Sequence, residues 1–77
     1  MLERIQRILA AVFEKHPSEI DDNFTPETEV NWDSLRHINM IVALEEEFEI
    51  SFDETEIPEM LSISIIYSTI QKKVDEN

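Results

Sequence analysis

The stretch Trp32-Asp33-Ser34-Leu35-Arg36-His37-Ile38-Asn39-Met40-Ile41-Val42-Ala43-Leu44-Glu45-Glu46-Glu47-Phe48 decides how the rest of the chain is read. Asp and Ser both start helices, because a side-chain oxygen accepts from the unpaired N–H groups of the first turn. No glycine or proline follows before Phe48, so a helix is predicted from Ser34 to about Glu49. Spaced at helical angles, Met40, Ile41, Leu44 and Phe48 share one side and face a core. Leu35, Ile38 and Val42 form a second apolar stripe beside Ser34, bordered by Glu45, Glu46 and Glu49. A helix in so small a chain rarely needs burial on two faces. The second stripe is either covered by the preceding loop or is an exposed docking patch.

Upstream, Leu2, Ile5, Ile8, Leu9, Val12 and Phe13 recur at i, i+3, i+4 and i+7, which predicts an amphipathic helix ending near His16. Pro17 disfavours helical geometry at the residue before it. Residues 17–32 show no period and form a long connection, with Ile20, Phe24 and Val30 as its expected anchors on the core. Connections of this length in compact domains are often functional. Downstream, Pro58 limits any helix in residues 53–61 to a turn or two. A last helix is predicted from about Ser62, with Ile63, Ile66, Tyr67, Ile70 and Val74 at helical spacing and Lys72 and Lys73 at its carboxyl end. The expected fold is all-α, three long helices and one short third helix in a small four-helix bundle. Its expected core comprises Ile5, Ile8, Leu9, Val12, Phe13, Met40, Ile41, Leu44, Phe48, Ile63, Ile66, Tyr67 and Ile70.

The 77 residues suit one domain, residues 1–77. Eighteen acids against six bases give a formal net charge of -12. Residues 17–59 hold fourteen of those acids and a single base, Arg36, while the flanking segments are nearly neutral. Such a field repels nucleic acid and anionic membranes and attracts basic protein surfaces. There is no cysteine, which excludes disulfides and thiolate metal sites. No run approaches the roughly 18 apolar residues of a membrane span, and no signal-peptide pattern opens the chain, so a soluble cytoplasmic monomer is the expectation.

Candidate chemistry is sparse. A nucleophilic serine needs a base and oxyanion donors, and neither His16 nor His37 sits in a recognisable hydrolase context, although His37 is three residues from Ser34. With no glycine anywhere, a phosphate-cradling loop and a dinucleotide fingerprint are excluded. The best calcium-loop window begins at Asp21 with Asn23 and Thr25, but Pro26 replaces its glycine and Trp32 its bidentate glutamate. No catalytic residue and no metal site are assigned. Loose divalent binding by Asp21, Asp22 or the Glu45–Glu47 run would not amount to a function.

Asp33-Ser34-Leu35, followed by Met40-Ile41-Val42-Ala43-Leu44-Glu45-Glu46-Glu47-Phe48-Glu49-Ile50, closely resembles the acyl carrier proteins. The layout of helices, the long first loop and the acidic bias extend the resemblance over essentially the whole chain. It implies that Ser34 carries 4′-phosphopantetheine, placed there from coenzyme A by a phosphopantetheinyl transferase that recognises Asp33. The arm's thiol then holds acyl groups as thioesters for acyl-activating and acyl-transferring enzymes with basic docking surfaces. Leu35, Ile38 and Val42, with Glu45, Glu46 and Glu49, fall where the family's recognition helix meets those partners. Asn31 stands where many fatty-acid-synthesis carriers have glycine, and Arg36 where they have an acid. Trp32 is similar to free-standing carriers of secondary-metabolite, surface-polysaccharide or modified-sugar pathways. Two alternatives remain open: a carrier of aminoacyl or glyceryl-type units, and a non-acylated acidic adaptor in which Ser34 is only a helix cap.

Overall fold

A computed structural model describes residues 1–75, so the last two residues of the expected 1–77 domain lie outside the described residues. Three α-helices carry the fold: α1 (Leu2–Phe13), α2 (Ser34–Phe48) and α3 (Ile63–Asp75). Two short 3-10 turns, Pro17–Glu19 and Ile57–Glu59, interrupt the connections, and no strand occurs among the described residues. None of these helices is long and apolar enough to cross a membrane. The molecule measures 34 × 24 × 18 Å, and α1 packs against both other helices.

The predicted core is where the apolar spacing puts it. Ile5, Leu9, Phe13, Met40, Ile41, Leu44, Ile63, Ile66 and Ile70 are buried, while Ile8, Val12, Phe48 and Tyr67 pack half-buried around them. Burying each large side chain contributes about 1.5–3 kcal/mol. Ile20 and Phe24 anchor the long connection, as expected from their apolar character in a polar stretch. Ala10, Phe52 and Met60 also enter the core. Phe52 and Met60 lie in a segment without periodicity, which hid their burial from pattern reading.

Val30 is corrected: it is 93% exposed. The Trp32 N–H donates to the Glu29 carbonyl, so residues 30 and 31 occupy the outer corner of a turn. The residues either side point inward instead. Trp32 packs against the core, and Glu29 is buried with its carboxylate 3.4 Å from Lys15 Nζ.

Helix ends differ from expectation in an informative way. α1 stops at Phe13, short of His16, because Glu14 turns into the left-handed region at φ 57°. Glu49 ends α2 identically at φ 54°. At both ends two successive amides return to one carbonyl: Glu14 and Lys15 to Ala10, Glu49 and Ile50 to Glu45. Glycine normally takes this position because it lacks the Cβ that makes left-handed geometry cost roughly 1–2 kcal/mol. A chain without glycine carries that cost twice. The expected short third helix is a single 3-10 turn over Ile57–Glu59, with Pro58 inside it. At α3 the Ser62 hydroxyl accepts from the Ile65 N–H, which confirms the start expected there.

Residues 50–62 are tied down from α2, by Glu45 and His37, and from α3. Glu56 Oε1 lies 2.7 Å from Lys73 Nζ and accepts from the Asp53 N–H at 2.8 Å. The Lys73 ammonium and then the Asp53 N–H hold the Glu56 carboxyl below the usual carboxylate range. A depressed folded value means the ionised form is favoured by folding. Its contribution is present above the ordinary glutamate pKa, about 4.3, and is lost as pH falls through the lower folded value. Glu56→Gln is therefore expected to lower stability at neutral pH and to flatten the loss of stability on acidification, measured by urea midpoints from pH 7 to pH 3. Leu44→Ala, at the centre of the core, is expected to cost about 2–5 kcal/mol by the same measurement.

Candidate functional site

Ser34 is the first residue of α2 and is exposed. The helix is capped by its neighbour: Asp33 has extended backbone geometry, and its Oδ1 accepts from the Arg36 N–H at 2.8 Å. The Asp33 carbonyl accepts from the His37 N–H. The N–H groups of Ser34 and Leu35 have no partner among the described residues, and neither does the Ser34 hydroxyl. A helix start with free N–H groups and the positive end of the macrodipole favours a negatively charged group such as a phosphodiester.

The backbone reaches Ser34 through an aromatic cluster. Phe13 at the end of α1 meets Phe24 edge-on at 5.2 Å between ring centroids and Trp32 at 4.8 Å, with Phe24 and Trp32 5.6 Å apart. Trp32 continues to His37, its Nε1–H donating to Nδ1 at 3.0 Å, and His37 Nε2 meets the Ile57 carbonyl at 2.7 Å. His37 is thus a core-edge residue with both ring nitrogens engaged, and neither is available as a base for Ser34. His16 lies elsewhere, its Nδ1 accepting from the Ser18 N–H in a capping box with Glu19.

Ser34 opens onto a groove of about 580 Å³ walled by Pro26 and Trp32, by His37 and Ile38, and by Ile57 and Leu61. A second cleft of about 460 Å³, between α1 and the start of α3, shares no residue with it.

The second stripe of α2 is open. Leu35 is 70% exposed, Ile38 49% and Val42 46%, so the long connection does not cover them. Glu46 and Glu49 are exposed around them. Glu45 is half-buried, with Oε2 accepting from the Phe52 N–H at 2.8 Å, so one of the three bordering acids holds the next segment in place. Arg36, the single base of residues 17–59, is drawn into the fold. Its guanidinium turns back to Glu14 at 3.3 Å, with the side chain only 28% exposed, so it pins α2 to the end of α1 rather than interrupting the acidic face.

Asp21 accepts from the Asn23 N–H, Asp22 accepts from the Ser64 hydroxyl, and Glu47 pairs with Arg4. Among the described residues no group of three metal-ligating side chains converges. No protein-family model matches the chain, and no curated protein matches its sequence.

The division between cap and free hydroxyl has a direct energetic consequence. Asp33→Ala is expected to cost about 1 kcal/mol, and Ser34→Ala to stay within roughly 0.5 kcal/mol of wild type. Urea midpoints of the two variants check this; a larger loss for Ser34→Ala would identify the serine as the cap.

Proposed function

We propose that the chain is an acyl carrier protein, with Ser34 bearing a 4′-phosphopantetheine arm whose thiol holds acyl groups as thioesters. The observation that carries this reading is the separation of roles at the start of α2. Asp33 caps the helix, while the Ser34 hydroxyl is exposed and, like the adjacent N–H groups, has no partner among the described residues. In an acidic adaptor the serine would be explained by capping, and here that role is already filled.

The arm is joined by a separate transferase. The serine oxygen forms a phosphodiester with the phosphate of coenzyme A that bears the pantetheine, the nucleotide portion leaves, and the serine proton passes to a base of the transferase. His37 has no free nitrogen for that proton. The chain's own part is presentation. Leu35, Ile38 and Val42 give an apolar contact next to Ser34, and Glu46 and Glu49 steer basic partner surfaces toward it. Transient, repeated docking suits a carrier that visits several enzymes. Arg36 is paired with Glu14, and Glu46 and Glu49 are the exposed acids bordering the apolar stripe.

Intact-mass measurement after incubation with coenzyme A and a broad-specificity phosphopantetheinyl transferase tests the reading. The wild-type chain is expected to gain one arm and Ser34→Ala none. Val42→Asp, and the pair Glu46→Lys with Glu49→Lys, are expected to fold normally and to be modified about tenfold more slowly at low salt. The wild-type rate is expected to fall as salt rises. Gain of the arm by Ser34→Ala contradicts the assignment.

A further inference from the structure

Trp32 is the chain's single tryptophan, and its indole N–H points at His37 Nδ1. An indole N–H donates and never accepts, so Nδ1 holds a lone pair and the neutral ring carries its proton on Nε2. That Nε2–H donates to the Ile57 carbonyl. One neutral imidazole therefore joins the residue two before Ser34, the first turn of α2 and the Ile57–Glu59 turn. Those three segments are also walls of the groove onto which Ser34 opens.

We propose that His37 is a positioning residue that holds this groove in shape while neutral and lets go of Trp32 when protonated, so that delivery of a group to Ser34 depends on pH. In an imidazolium both ring nitrogens are donors. The bond to Trp32 then cannot exist, whereas the bond to Ile57 persists as a charge-assisted one. The indole N–H sits at a part-buried position and must find water as a new partner, which loosens the groove wall between Trp32 and α2. Phe13 and Phe24 keep the Trp32 ring on the core, so the change stays local to the groove.

The charged neighbours define the competition. Asp33 lines the groove beside His37, with one carboxylate oxygen on the Arg36 N–H. Arg36, next to His37 on α2, is paired with Glu14 at the end of α1. From the facing turn, Glu56 and Glu59 flank Ile57 and Pro58, and Glu56 is held by Lys73. Acidification shifts the balance toward release. The latch rests on the two hydrogen bonds alone; its effect on delivery rests on the carrier reading of Ser34.

Trp32 emission, followed as the pH is lowered, reads the latch directly. A one-proton titration is expected in wild type and in His16→Gln, with unchanged far-UV circular dichroism. It is expected to vanish in His37→Gln, whose amide can accept from Trp32 and donate to Ile57 without titrating. Flat emission in wild type, or a titration that survives in His37→Gln, overturns the latch. The second reading is the ratio of initial modification rates, wild type to His37→Gln, in which the transferase's own pH dependence cancels. That ratio is expected to change several-fold with the midpoint seen in emission; a flat ratio overturns the positioning role. If His37→Gln does not fold, Trp32→Phe removes the donor and keeps a ring against Phe13 and Phe24. Its rate relative to wild type is expected to carry the same pH dependence, and a flat ratio again overturns the proposal. Titrating emission in a chain that no transferase modifies at any pH supports the latch and overturns the carrier reading.

Discussion

Three rings, Phe13 from the end of α1 and Phe24 and Trp32 from the long connection, meet with centroids 4.8 to 5.6 Å apart, and the position of Ser34 follows from that meeting. The segment between α1 and α2 has only three residues of helical structure, so its order must come from elsewhere. Fixing each residue's backbone costs about 1–2 kcal/mol in lost freedom. Burial of Ile20 and Phe24, packing of Trp32 and the Lys15–Glu29 pair offset that cost at spaced points along the segment. Aromatic pairs in such geometry add about 0.5–1.5 kcal/mol each beyond the area they bury. Trp32 is the last of these anchors before the helix, so the two residues after it are directed rather than free. Asp33 is delivered into capping geometry and Ser34 into solvent.

The acids divide by task. Asp33, Glu45 and Glu56 accept from backbone N–H groups and shape the chain, and Glu14 and Glu47 pair with arginines. Glu46 and Glu49 remain on the face with Leu35, Ile38 and Val42. The net charge of -12 already subtracts the six bases, so the acids paired with them take nothing from the field the remaining acids make.

Much of this was legible in the sequence, for reasons that can be named. The three helices and nine of the buried side chains follow from 3.6-residue spacing, which depends on local geometry alone. The second stripe on α2 follows from the same arithmetic, but that the connection leaves it uncovered is set by the fold. What escaped was set by tertiary partners. Val30 and Trp32 are both apolar residues in one aperiodic stretch, and only the turn closed on Glu29 decides that the first points out. Glutamates in left-handed caps carry no signal where glycine is the usual mark. The turns of Arg36 toward Glu14 and Glu45 toward Phe52 depend on chain segments that no spacing rule connects. At the site, the motif located Ser34 but left its hydroxyl and the Asp33 carboxylate as rival caps, and only geometry separates them.

The central claim is that an ordered connection, locked by aromatic contacts, presents Ser34. Backbone hydrogen exchange in wild type and Phe24→Ala tests it most directly, because it reads the order of this segment separately from that of the helices. The account predicts that the amides of Phe24, Glu29 and Trp32, each bonded to a carbonyl within the connection, are protected in wild type. In Phe24→Ala they should lose that protection while the centre of α2 around Leu44 keeps its own. Exchange of those three amides at free-chain rates in the wild-type protein would contradict it.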